Sequence, residues 1–292
     1  VPSGTSTISV GRMRVSQLSD GVAVGPRRYW FTGAEPAEWM PAVGVDDPDA
    51  PFTVSFGGFA VTGDGHVTVV DTGWGHRAGE KPGLAGAGEL PAGLAALGIG
   101  PEDVDHVVQT HLHADHCGWL VKDDEGTLTF PNATVHVHER EVAYWTGDEV
   151  EAIAFNRDMA AQARVRLRAV EAAGRLHAFA GALRLSDEIS VLPTHGHTPG
   201  HVSVVVESGG ETAILAGDLV HHPAHVEHPC WLPSVDHDPA ESVRSRERVF
   251  ALAADRRATI LAPHFPIPTA VGVERGEDGG VRALSRHTEE AS

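Results

Sequence analysis

The chain has 292 residues, is 41% hydrophobic, and sets 40 acidic against 22 basic side chains for a formal net charge of −18. That apolar fraction is enough for a full core. The negative excess repels phosphate backbones and anionic lipid surfaces, which argues against nucleic-acid and membrane partners, and no stretch approaches the ~18–20 uninterrupted apolar residues of a spanning helix.

Val1 to Val10 is polar and lacks the basic-then-apolar pattern of a signal peptide. A cytoplasmic protein is expected, although a processed secreted form has the same appearance from this end. Short β-rich runs then recur along the chain at Val67–Val70, Val104–Val108, Ala133–Val137, Ile189–Leu192, Val202–Val206, Thr212–Leu215 and Thr259–Leu261. Gly75 to Gly93, rich in Gly, Ala and Pro, reads as a loop leading into a short helix. Glu139 to about Ala173 carries Trp145, Ile153, Phe155, Met159, Val165, Leu167 and Val170 among charges and reads as helical. A further helix begins at Asp238-Pro239-Ala240-Glu241, with Asp as N-cap, Pro in the first helical position and Glu placed as in a capping box. Strands mixed with helices give an α/β or α+β class. No internal repeat appears, and the reading is a single domain over 1–292, with an N-terminal extension (about 1–50) and a helical insertion (about 139–180).

Composition also singles out histidine, with 19 copies where about six would be ordinary for this length, and histidine is the commonest metal ligand. Cys117 and Cys230 allow at most one disulfide, which a domain of this size does not need. The decisive segment is Thr110-His111-Leu112-His113-Ala114-Asp115-His116, directly after the strand Val104–Val108. His111 and His113, two apart on extended backbone, point the same way and can share one metal. Asp115 and His116 lie in the turn beyond and can hold a second. Other strand ends repeat the theme: Asp71 follows Val67–Val70; His195, His197 and His201 follow Ile189–Leu192; Asp218 follows Thr212–Leu215; His264 follows Thr259–Leu261. A lone Asp after a strand is usually a turn former. Recurrence at five strand ends points instead to one site where loops converge.

These residues resemble the metallo-β-lactamase superfamily, over about Phe56 to Pro268. The resemblance implies an αββα sandwich of two mixed β-sheets flanked by helices. It also implies a first ion held by His111, His113 and His197, a second held by Asp115, His116 and His264, Asp218 bridging, and Asp71 supporting the site. His197 is preferred to His201 because it stands in a Gly-His-Thr context 21 residues before Asp218. His195 and His201 are then expected to support the site or pack in the core. Within the superfamily the chain looks most like the methyl parathion hydrolase and acyl-homoserine lactonase branch. The matching pieces are His197-Thr198-Pro199-Gly200-His201, Gly217-Asp218-Leu219-Val220-His221, Phe130-Pro131-Asn132-Ala133 and Pro263-His264-Phe265-Pro266. Lactonases of this branch often carry tyrosine three residues past the bridging aspartate, where this chain has His221, as the methyl parathion hydrolase type does.

The expected activity is hydrolysis of a lactone, carboxyl ester or related bond by a hydroxide shared between two divalent ions. The ions are expected to be zinc, the same donors also accepting manganese, iron, cobalt or nickel. Asp218 and Asp115 are the expected catalytic carboxylates, and His221 the donor to the substrate oxygen. Trp145 lies in a segment resembling the part of methyl parathion hydrolase that supplies an aromatic pocket wall; its alternative is a core residue packing a helix on the sheet. The expected partner is a small, uncharged, hydrophobic ester or lactone, with a homodimer as the assembly to look for. No Gly-x-Ser-x-Gly elbow supports a serine hydrolase, and no phosphate-cradling Gly loop implies a nucleotide. Rival readings are a glyoxalase II-like thioesterase, a phosphotriesterase and an iron-dependent persulfide dioxygenase. Oxygen uptake and metal identity separate the last from a hydrolase.

Overall fold

A computed structural model describes residues 5–287 and 289–290. Its strands divide the chain by halves. The first half supplies β1 (Ser6–Val10), β2 (Met13–Pro26), β3 (Pro51–Thr62), β4 (Val67–Val70), β5 (His106–Val108), β6 (Thr134–His138) and β7 (Leu176–Phe179). The second half supplies β8 (Leu183–Arg184), β9 (Ile189–Pro193), β10 (Val202–Ser208), β11 (Glu211–Leu215), β12 (Thr259–Leu261), β13 (Thr269–Arg275) and β14 (Val281–His287). Each set lies in one sheet, in the orders β1-β2-β3-β4-β5-β6-β7 and β14-β13-β12-β11-β10-β9-β8. A last strand, β15 (Glu289–Glu290), returns to pair with β1. The helices are α1 (Pro36–Ala42), α2 (Leu90–Ala96), α3 (Glu139–Thr146), α4 (Ala154–Ala172) and α5 (Pro239–Arg256).

The apolar runs are continuous because both faces of the central strands are buried, and successive side chains go to opposite layers. Val69, Val107, Val135 and Val137 pack outward against Leu94 of α2, Trp145 of α3 and Leu167 and Val170 of α4. Their neighbours Val70 and Val108 pack inward, between the sheets, with Phe59, Val204, Val206, Leu215 and Leu261. Val205, Ile214 and Ile260 face outward again, onto Val249, Phe250 and Ala253 of α5. The result is the expected αββα sandwich. Among the described residues no helix is long and apolar enough to cross a membrane.

Three details differ from the sequence reading. Residues before 50 are not an appendage, since β1 and β2 belong to the first sheet and β2 pairs with β3 from Arg14↔Thr62 to Pro26↔Pro51. A bulge between Ser19 and Gly21 turns the fully buried Asp20 toward the following loop. There its carboxylate accepts from the backbone N–H of Trp74 (2.7 Å), Gly75 (3.1 Å) and Leu90 (2.9 Å) and from the Trp119 indole (3.0 Å). Burial pushes its pKa up to about 6 against the pull of those donors. The helical block is two helices, α3 and α4, and the chain after them returns to the sheet as β7. Asp238 does cap α5, accepting from Glu241 N at 3.0 Å, but its own N–H donates to Gly196 O, so the capping box is half formed.

Candidate metal centre

Strands β4, β5 and β6 run parallel, as do β11 and β12, and β9 shares the direction of β11 through the antiparallel β10 between them. The loops leaving β4, β5, β9, β11 and β12 carry the predicted donors, and the fold brings them together. His111, His113, His197 and Asp218 form one set whose donor atoms all lie within 4.8 Å of one another; Asp115, His116 and His264 form a second, and Asp218, His221 and His264 a third that overlaps both. Asp218 stands between the sets. Its Oδ1 lies 3.2 Å from Nε2 of both His116 and His264. Its Oδ2 lies 3.1 Å from His197 Nε2 and 3.0 Å from His221 Nε2.

The outer ring nitrogens are already committed, which fixes what the inner ones are. His116 Nδ1 donates to Asp71 Oδ2 (2.9 Å), His197 Nδ1 to Asp236 Oδ1 (2.9 Å), His264 Nδ1 to Ser55 O (2.8 Å) and His113 Nε2 to Asn156 Oδ1 (3.0 Å). Thr110 Oγ1 donates to Asp71 Oδ2 at 2.7 Å and so accepts from His111 Nδ1 at 3.0 Å. In a neutral imidazole the remaining nitrogen is then a lone pair. These lone pairs face one another: His111 Nε2 to His113 Nδ1 is 2.9 Å, His113 Nδ1 to His197 Nε2 is 3.1 Å, and His116 Nε2 to His264 Nε2 is 3.3 Å. Such an arrangement needs positive charge at its middle. Protons can supply it, since the Asp218 carboxylate lifts His197 to about 9 and His116 well above the usual imidazole range against their burial, while burial holds His113 down to about 3; a bound cation would take the place of those protons. Imidazole nitrogens plus carboxylate oxygens, pre-oriented by outer acceptors, fit borderline divalent cations such as zinc.

Buried groups brace this arrangement, and most were not legible in the sequence. Asp71, in the left-handed region at φ 58°, receives Thr110 N (2.8 Å) as well as the Thr110 and His116 side chains. Glu141 of α3 joins two loops: Oε1 accepts from Leu112 N (3.0 Å) and the Trp145 indole (2.6 Å), and Oε2 from Thr198 Oγ1 (2.8 Å) and Gly200 N (2.9 Å). His201 supports the site from behind, its Nε2 accepting from Asp218 N at 3.0 Å, and His195 lies outside the donor sets with Nδ1 bonded to His201 O at 3.2 Å. Gly217, at φ +55°, lets the turn after β11 pass close to His201: a Cβ there would meet His201 Nε2 at 2.8 Å. Glu141, Asn156 and Asp236 had no signal in their own neighbourhood, because each acts on a loop distant in sequence.

The substrate side needs two corrections. Trp145 of α3 is fully buried, packs in the core with α4 and the first sheet, and spends its indole N–H on Glu141, so it presents no wall to a ligand. The aromatic that meets His113 from outside is Phe155, 52% exposed with its ring 5.6 Å from the imidazole. His221 is also buried, with Nε2 directed at Asp218 and its ring stacked between Trp30 (5.1 Å) and His264 (5.2 Å). It is therefore placed to hold Asp218 rather than to reach outward. Phe56, edge-on to His264 at 5.2 Å, completes an aromatic rim.

Sandwich and donor set together define a class: two-sheet αββα proteins that present a histidine–aspartate metal centre at their strand ends. The chain belongs to the metallo-beta-lactamase superfamily, whose profile matches residues 58–264. It is 28% identical over 181 residues to the N-acyl homoserine lactonase AttM of Rhizobium radiobacter, a match covering 59% of this chain and 62% of that protein. It superposes on the hydrolase AbOPH of the beta lactamase superfamily, with a TM-score of 0.84, 25% identity and 99% of each chain covered. The fold is also that of AidC, a dizinc quorum-quenching lactonase, with a TM-score of 0.82, 22% identity and 97% of each chain covered.

Proposed function

We propose that this protein is a dinuclear metal-dependent hydrolase that opens a lactone or carboxyl ester. The observation that carries the reading is Asp218, whose carboxylate reaches both nitrogen sets, at 3.1 Å from His197 Nε2 and 3.2 Å from Nε2 of both His116 and His264. Divalent ions bound by His111, His113 and His197, and by Asp115, His116 and His264, would supply Lewis acidity and a water acidic enough to be a nucleophile at neutral pH. The chain's own residues do the rest. Asp218 sits where it can take up the proton released by the attack and pass it to the leaving alkoxide. His221 orients that carboxylate through its 3.0 Å contact. The outer acceptors Asp71, Asp236, Asn156 and Ser55 fix the tautomers, so no ring reorientation accompanies the reaction. The rim of Trp30, Phe56 and Phe155 favours an uncharged, apolar substrate.

Metal analysis of protein purified without chelator, followed by a panel of lactones, aryl esters, thioesters and phosphotriesters, tests this. Two zinc equivalents and turnover of lactones or aryl esters are expected, abolished by chelator and restored by zinc, manganese or cobalt alone. Full activity with one equivalent or less, unchanged on adding metal, would overturn the two-ion reading; a requirement for flavin or nicotinamide would overturn the hydrolytic one. Phe155→Ala is expected to raise KM several-fold for substrates with long or aromatic arms while leaving kcat and metal content unchanged. Equal KM values across the panel would place the substrate elsewhere.

A further inference from the structure

The candidate centre uses only part of the histidine excess, and a second concentration lies further back along β5, β6 and β7. His106 opens β5, five residues before His111, which on extended backbone is roughly 15 Å away. His136 of β6 and His177 of β7 are cross-strand partners in the parallel ladder, and His106 sits one step diagonally back on β5. The alternation of the strands puts all three on one face, since the intervening Val107, Val135 and Val137 pack against the helices. Their ring nitrogens meet in a row: His106 Nδ1 to His136 Nε2 is 3.1 Å, and His136 Nδ1 to His177 Nδ1 is 2.9 Å. His136 is 5% exposed, His106 half-buried and His177 exposed, so the row is most buried at its middle and opens to solvent at His177. Around it stand His66, whose ring is 5.7 Å from His106, and Asp105, 3.7 Å from His66 Nδ1.

We propose that His136 and His177 form a separate binding site for one borderline divalent transition-metal ion, held between their Nδ1 atoms, with His106 as the residue that orients His136. At the usual ~2.0–2.1 Å metal–nitrogen distance, nitrogens about 2.9 Å apart subtend an angle of roughly 90°. That is the adjacent-ligand angle of the tetragonal sets formed by copper(II) and nickel(II), narrower than tetrahedral zinc prefers. The protons balance with one tautomer change: without an ion His177 donates its Nδ1–H to His136 Nδ1 at 2.9 Å, and on binding His177 carries its proton on Nε2 instead. His136 keeps its proton on Nε2 and donates it to His106 Nδ1, as metal-bound histidines generally donate their other N–H to a nearby acceptor. The Nδ1 lone pair is thereby aimed at His177. Burial, reinforced by the neighbouring imidazoles of His106 and His177, holds His136 down to about 3. His177, at the solvent end, leaves the other ligand positions to water.

The test is a copper(II) titration of zinc-loaded protein, followed by calorimetry and electron paramagnetic resonance, comparing wild type with His177→Gln, His106→Gln and the control His228→Gln. Wild type should take up one more copper than His177→Gln, with hyperfine splitting from two imidazole nitrogens. Exchange at the principal centre would be the same in both proteins and cancels in that difference. His106→Gln should keep the site at about 10- to 100-fold lower affinity, the usual loss when an orienting partner is changed, and His228→Gln should match wild type. Hydrolysis should be equal in all four. Equal copper uptake by wild type and His177→Gln, or a loss in His228→Gln as large as in His177→Gln, would overturn the proposal.

Discussion

Asp218→Ala is expected to bind one zinc or fewer per chain and to lose roughly three orders of magnitude in kcat, the scale on which removal of a group serving developing charge acts. The carboxylate is 4% exposed and is the charge against which the inner nitrogens are arranged: His116, His264, His221 and His197 all act on it. Without it, the lone pairs of His116 and His264 face each other at 3.3 Å with only Asp115, 3.6–3.7 Å from both, to offset a bound cation. Asp218→Asn separates the two parts of the effect. It keeps the shape and one acceptor oxygen but not the charge, so it should retain more metal than Asp218→Ala while remaining slow. Elemental analysis beside single-turnover rates reads both quantities. Two tightly held zinc ions and a rate within tenfold of wild type in Asp218→Ala would remove this residue from the centre.

Glu141→Ala should lose roughly 3–5 kcal/mol of stability, because it strands four donors in an apolar layer where each unmet donor costs about 1–3 kcal/mol before relaxation. The melting temperature should fall by about 10 °C. Burial raises the pKa of Glu141, and the Thr198 hydroxyl, Trp145 indole and two backbone N–H groups draw it back toward the charged form. The same change should weaken zinc binding by about 10- to 100-fold, since Leu112 lies between His111 and His113 while Thr198 and Gly200 follow His197. Glu141→Gln, which keeps an acceptor for one pair of donors, should fall between. Chemical denaturation and competition with a chelating dye measure the two effects. An unchanged zinc affinity in a destabilised Glu141→Ala would make Glu141 a purely structural residue.

Much of this was legible in the sequence because the site is built at strand ends, where an apolar run and a polar residue adjoin. Val67–Val70 before Asp71 and Thr259–Leu261 before His264 announce both strand and donor. The N-terminal strands were missed for a physical reason. β2 and β3 contain Gly21, Gly57 and Gly58 where alternation would show, and the bulge at Ser19/Gly21 shifts the period midway. Trp145 misled because an aromatic 30 residues past Asp115 reads equally as pocket wall or as core, and only the indole bond to Glu141 decides between them. Asp236 and Glu141 had no local signature at all. Their partners lie 39 and up to 59 residues away, and only the tertiary fold puts them in reach.

The division of the sandwich by chain halves sets an order of events during synthesis. A ribosome that has released β1 to β7 has delivered His111, His113, Asp115 and His116, but none of the donors that face them. His197, Asp218 and His264 arrive with the second sheet, His264 last of all, beyond α5 and β12. On the proposed two-ion reading neither site would be complete when only β1 to β7 had emerged, so an ion meeting the chain early would find only a partial set of ligands. Final capture would then wait until the two sheets close on each other, which would make the proposed ions a fastening across the seam of the molecule rather than a nucleus for either side.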